Sequence, residues 1–161
     1  MEICTLTPER YETFSSFAGS VFVDYYTSLI GKKQAEYMVS LFLSPEAIKE
    51  LCAKGAIFRI LQEDGRMLGF CEYLKEEDRV FLSKLYVRKE ERHRGLGKIL
   101  YEDCVRYTKE IGLNKIYLTV NKYNTPSYEI YLHLGFKVIE AVVNDIGNGY
   151  VMDDYIMEKE L

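Results

Sequence analysis

Val80-Phe81-Leu82-Ser83-Lys84-Leu85-Tyr86-Val87, followed by Arg92-His93-Arg94-Gly95-Leu96-Gly97-Lys98, is the stretch on which the fold turns. The first eight residues are rich in aromatic and branched side chains and read as a strand. Beyond the glycines, apolar residues fall at 96, 99, 100, 104, 107 and 111, the spacing of one helix face, and Gly112 stops the run. Ile116–Val120 then reads as a second strand. A strand–helix–strand unit over 80–120 calls for a parallel strand pair inside a mixed α/β sheet.

The loop in this unit is basic and glycine-containing, and it becomes the first turn of the helix. Free backbone N–H groups and the positive helix end converge there, and glycines let a ligand come close, so the place suits phosphate or pyrophosphate. Two familiar motifs fail. A Walker loop needs Gly where Arg92 stands and Ser or Thr where Ile99 stands; a Rossmann turn needs a small residue at Leu100. The pattern that fits is Arg/Gln-x-x-Gly-x-Gly, at Arg92, Gly95 and Gly97.

Working outward, Ala56–Glu63 and Met67–Leu74 flank Asp64-Gly65, a two-residue hairpin turn. Residues 2–6 read as a short first strand. Thr7-Pro8-Glu9 has the chemistry of a helix start, with Thr as N-cap. Helices follow from Lys32 to about Leu43 and from Ser44-Pro45-Glu46 to Gly55. C-terminally, Pro126–Leu134 reads as a helix, Phe136–Val143 as a strand, Gly147-Asn148-Gly149 as a turn and Tyr150–Glu158 as the last strand.

Composition narrows the class. A chain of 161 residues, 48% hydrophobic and 29% charged, is long enough to bury a core without staples, and residues 1–161 read as one domain. With 21 basic against 25 acidic residues the net charge is −4, which argues against a nucleic-acid partner and for a small cation. Cys4, Cys52, Cys71 and Cys104 lack metal or disulfide spacing, and only His93 and His133 are present; no metal site is expected. Without a targeting segment or an apolar run long enough for a membrane, the chain reads as cytoplasmic.

A second motif lies about 30 residues downstream: Asn124-Thr125-Pro126-Ser127, then Tyr131 with Gly135-Phe136. Together the two motifs resemble those of the GNAT superfamily of acyl-CoA-dependent N-acetyltransferases. The resemblance covers about residues 66–161. Within the superfamily, Lys32-Lys33-Gln34-Ala35-Glu36-Tyr37-Met38 is similar to a branch near the polyamine acetyltransferases.

The resemblance implies a mixed, mostly antiparallel, twisted sheet with a central parallel pair and helices on both faces. It implies acetyl-CoA as cosubstrate, with the backbone from Arg92 through His93, Arg94, Gly95, Leu96 and Gly97 to Lys98 on the pyrophosphate. Leu85, Tyr86 and Val87 would take the pantetheine arm, Asn124 and Ser127 would order the neighbouring loop, and Tyr131 would protonate the departing thiolate. Many members carry a Glu base on the strand before the loop, where this chain has Phe81, Ser83 and Lys84. Glu72 is the nearest acidic candidate, and deprotonation through water is equally open. Asp24, Glu36, Asp153 and Asp154 are further acids available to face an acceptor.

The expected activity is direct acetyl transfer to a primary amine, with a small cationic acceptor such as a polyamine. A non-catalytic acyl-CoA-binding module, or acetylation of protein N-termini or lysines, stays open. Family members often pair through their last strands, so a homodimer is expected as well.

Overall fold

The computed structural model describes residues 1–161. Its elements run β1 (Glu2–Thr5), α1 (Tyr11–Ile30), α2 (Lys32–Phe42), α3 (Pro45–Ala53), β2 (Ile57–Glu63), β3 (Arg66–Lys75), β4 (Val80–Val87), α4 (Leu96–Glu110), β5 (Lys115–Asn121), α5 (Thr125–His133), β6 (Lys137–Gly147) and β7 (Tyr150–Glu160). They form one seven-stranded sheet in the order β1-β2-β3-β4-β5-β7-β6. Only β4 and β5 run parallel, as the strand–helix–strand pattern requires. No helix is long and apolar enough to cross a membrane.

Local chemistry explains most boundaries. Asp64 (φ 51°) and Gly65 (φ 77°) make the left-handed turn between β2 and β3. The Ser44 hydroxyl caps α3 by accepting from the Ala47 N–H at 3.1 Å. Thr7 behaves otherwise than expected. It donates to Glu9 at 2.6 Å, and Pro8–Arg10 forms a 3₁₀ turn that leads into α1. The last two strands are longer than their apolar runs suggest, because Gly147 pairs with Tyr150 and the ladder continues to the turn.

Each face of the sheet has its own core. α1, α2 and α3 cover one side, with Phe14, Phe17, Phe22 and Met38 packed on Phe58, Ile60 and Phe70. α4 and α5 cover the other, with Leu96, Leu100 and Cys104 packed on Cys71, Tyr73, Leu82 and Phe136. Phe14 meets Phe70 edge-on at 5.1 Å, a preferred aromatic geometry. Asp103, buried in the second core, is satisfied by Arg59 at 2.9 Å, Tyr73 at 2.7 Å and Arg106 at 2.8 Å, so its charge belongs to the scaffold.

Candidate active site

β4 and β5 are in register only at Val80–Ile116 and Phe81–Tyr117. The cause lies on the other side of β4. Glu72 of β3 faces Lys84 while Tyr73 faces Leu82, so Ser83 is an extra residue in the ladder, and such a bulge bends and twists its strand. Beyond it β4 leans away from β5. A narrow slot of about 40 Å³ opens between them, bordered by Leu82, Ser83, Leu85 and Tyr86 on one side and Leu118, Thr119 and Val120 on the other. Tyr26, Asn124, Ser127 and Tyr131 complete its wall.

At the end of β4 the chain enters α4 through Gly95, which is left-handed (φ 75°) and offers no side-chain cap to the helix. The first-turn N–H groups are thereby free, and no acid stands in that turn, as an anion site needs. Gly97 is different, since its φ is not positive and a Cβ there would meet only Leu85 Cδ2 at 3.6 Å. Neither conformation nor internal packing requires glycine at 97, and without a Cβ the backbone there is open to close approach. The loop therefore fits a pyrophosphate.

The side chains around this loop divide. Arg92 donates to the Val87 carbonyl at 3.2 Å and lies 5.1 Å from the Tyr25 ring. His93 is exposed and left-handed, and Lys98 is exposed. Arg94 is engaged by Glu91 and, at 3.5 Å, by Glu63, away from the slot. The Leu96 side chain is buried in the second core, so only its backbone is available.

Asn124 caps α5, accepting from the Ser127 N–H at 3.4 Å. Tyr25 of α1 ties this corner down: its hydroxyl donates to Asn124 Oδ1 at 2.9 Å and lies 2.8 Å from Ser127 Oγ. Tyr131 is half-buried against Phe136, with ring centres 5.6 Å apart. Desolvation by burial raises its pKa above the ordinary tyrosine range, so its phenol keeps its proton. The slot thus brings together Leu85, Tyr86, Asn124, Ser127 and Tyr131; Val87 and the loop from Arg92 to Lys98 do not line it, and the loop reaches it only through Gly97, which lies against Leu85.

Glu72 is not brought there. It is 2% exposed and its carboxylate takes Lys84 Nζ at 2.5 Å; it borders neither the slot nor the larger cleft beside it. The bulge at Ser83 explains the placement, since it turns Lys84 onto the same face as Glu72 beneath α1 and α2.

That cleft, about 290 Å³, opens on the α1–α2 side. Its apolar wall includes Phe22, Ile30, Met38, Phe42, Phe81 and Met152, and Ser83, Tyr26, Tyr86 and Thr119 border both cleft and slot. Tyr26 and Tyr86 hydroxyls lie 3.0 Å apart, and burial raises both pKa values. The β6–β7 hairpin is pinned over α2, with Tyr37 donating to the Ile146 carbonyl at 2.6 Å and Gln34 to the Val151 carbonyl at 2.8 Å. Of the five acids named from sequence, Asp154 alone borders the cleft. Asp153 pairs with Lys122 at 2.7 Å, Glu36 is exposed and Asp24 borders a separate groove beside Lys89 and Arg92.

The model for the acetyltransferase (GNAT) family matches residues 22–136. Among curated proteins, the chain is 25% identical over 146 residues to a spermidine N(1)-acetyltransferase of Thermoplasma acidophilum, covering 90% of this chain and 82% of that protein. It is 28% identical over 94 residues to the D-amino-acid N-acetyltransferase HPA3 of Saccharomyces cerevisiae, covering 55% and 57%. Among solved structures, the PaiA N-acetyltransferase of Thermoplasma acidophilum in complex with coenzyme A superposes with a TM-score of 0.83 at 24% identity, covering 99% of this chain and 98% of that one.

Proposed function

The chain belongs to the GNAT family of acetyltransferases, and from that premise we propose that it moves the acetyl group of acetyl-CoA directly onto the primary amine of a small cationic acceptor such as a polyamine. The observation that carries the acceptor class is the cleft wall: aromatic and apolar surface with one carboxylate, Asp154, that forms no ion pair. Lys84 also borders the cleft, but Glu72 already neutralises it. This weighs against an acceptor that needs a cation for its own carboxylate, such as an amino acid. The hairpin pinned over α2 favours a small acceptor over a protein chain. The likeness to a spermidine acetyltransferase points the same way.

When bound, acetyl-CoA supplies an activated acyl group and a thiolate leaving group. In this reading the α4 N-terminus from Gly95 to Lys98 holds the pyrophosphate, and the main chain of Leu85 to Val87 lies along the pantetheine arm. An N–H near Val87 stabilises the developing oxyanion, Asn124 and Ser127 fix the slot's corner, and Tyr131 gives its proton to the sulfur. Direct transfer is favoured over an acetyl-enzyme because the buried thiols Cys71 and Cys104 are shifted upward by desolvation, and such thiols are poor nucleophiles.

Two further readings belong to this proposal. The outer edge of β6 is unpaired and exposes Ile139 and Val143, which supports a homodimer; light scattering should give twice the chain mass, and a monomer at micromolar concentration contradicts it. Four free cysteines suit a reducing cytoplasm. The test of the activity is CoA release, followed with a thiol reagent, across polyamines, aminoglycosides, amino acids and peptide N-termini. Turnover led by a polyamine supports the reading. Turnover confined to neutral, anionic or peptide acceptors sinks it.

A further inference from the structure

Asp154 stands on β7 opposite Asn121 of β5 and Val142 of β6. It is 4% exposed and borders the cleft, yet the fold gives it no counter-charge. Lys122, beside it, is held by Asp153, and Lys84 on the β4 wall is held by Glu72. Tyr26 and Tyr86, the titratable groups facing it from α1 and β4, stay protonated. Gln34, Asn144, Ser83 and Thr119 carry no charge. A buried charge left this way is costly until something pairs with it.

An acceptor ammonium would be that partner, and the geometry places it well. Asp154 lines the same cleft as Tyr26, Ser83, Tyr86 and Thr119, the residues that the cleft shares with the slot. Resting on the cationic-amine reading above, we propose that Asp154 receives the acceptor's ammonium and takes its proton, so that the free amine can attack. The step balances. The N–H bond breaks toward an Asp154 oxygen, and the freed lone pair forms the bond to the acyl carbon as the carbon–sulfur bond breaks. The second proton lost from nitrogen replaces the one Tyr131 gives to sulfur, and Asp154 releases its own to solvent. Burial, with Asp153 reinforcing it and Lys122 opposing, lifts the Asp154 pKa to about 6. That makes it a stronger base than an ordinary carboxylate while leaving it ionised at neutral pH.

The experiment compares the parent with Asp154→Asn over amines of falling ammonium pKa, from a polyamine to a fluorinated ethylamine already neutral at pH 7.5. Melting temperature and acetyl-CoA affinity serve as controls for the fold and the slot. A proton acceptor of this kind contributes about 10²–10⁴-fold. The polyamine should lose at least about 100-fold in kcat/KM, within that range, with kcat falling, and the loss should shrink toward nothing for the neutral amine. The parent's acidic limb near the Asp154 pKa should vanish in the variant. No loss, an equal loss for every amine, or a rise in KM with kcat unchanged overturns the proposal while the acceptor reading stands. If the parent acetylates no amine at all, the acceptor reading falls and takes this inference with it.

Discussion

The slot between β4 and β5, proposed for the cofactor, and the cleft beside it, proposed for the acceptor, share a wall but are assembled in different ways. Most of the slot comes from one run of chain, β4 through α5, and the main chain at the start of α4 stands beside it, with Gly97 against Leu85. The cleft collects α1, α2, β4, β5 and the β6–β7 hairpin; the contact that closes it, Gln34 to Val151, spans 117 residues of sequence. Backbone recognition needs a local conformation, and a short motif can encode that. Side-chain recognition across distant elements needs the whole fold. A short motif can therefore mark the first, whereas the second is assembled only by the whole fold.

Beside Asp154→Asn, the next large effect that sharpens this contrast should come from Tyr131, a side chain inside the otherwise backbone-built half. Tyr131→Phe keeps the ring against Phe136 and removes the proton. A thiolate is already a fair leaving group, so kcat should fall by about 100-fold, the low end for proton transfer, with the KM for acetyl-CoA little changed. Parental kcat across pH 6–9 would make Tyr131 a packing residue.

The next effect is on stability and belongs to the cleft. Asp154's folded pKa, about 6, lies above its unfolded value near 3.9. The folded state therefore binds the extra proton, and stability is lost as pH rises through that window. Asp154→Asn should raise stability by about 1–2 kcal/mol above pH 7, a few degrees in Tm for a domain this size. The gain should vanish below about pH 3, where the carboxylate is neutral in both states. Thermal melts at about pH 8 and about pH 3 check this, and no gain, or a loss, at the higher pH would falsify it. Function would then be held at the expense of stability at this position.

The smallest effect probes the backbone half. Gly97→Ala meets only Leu85 within the protein, and alanine favours a helix over glycine by about 0.5–1 kcal/mol. The variant should be no less stable than the parent. It should bind acetyl-CoA roughly tenfold more weakly, as expected if about one charge-assisted N–H contact is lost. Unchanged affinity, measured by calorimetry, would leave Gly97 with no role in the loop.

The same contrast governs what could be read from sequence. Val80–Val87, the Asp64-Gly65 turn and the α4 stripe are local signals, and the structure follows them. Glu72 and Lys84 sit among apolar strand residues, where alternation alone cannot tell a cleft-facing acid from a buried pair. The extra residue at Ser83 decides it, and a one-residue bulge has no sequence mark of its own. Arg94 belongs to the motif through its backbone, and the motif says nothing of its side chain, which Glu91 and Glu63 hold. Asp154 did leave a trace, as one of two consecutive acids within the aromatic and apolar strand Tyr150–Tyr155. Strand alternation sends such a pair to opposite faces; which of them meets the cleft depends on the Lys122–Asp153 pair, a tertiary fact.

The most direct test is an initial-velocity study in which acetyl-CoA and a polyamine are varied against each other for the parent, Gly97→Ala and Asp154→Asn. Direct transfer within a ternary complex predicts intersecting double-reciprocal lines for all three proteins. A division between backbone-built slot and side-chain-built cleft predicts that Gly97→Ala raises the dissociation constant of acetyl-CoA, and that Asp154→Asn lowers kcat with the polyamine while leaving that dissociation constant unchanged. Parallel lines, the mark of an acetyl-enzyme, or a weaker acetyl-CoA dissociation constant in Asp154→Asn, would contradict the account.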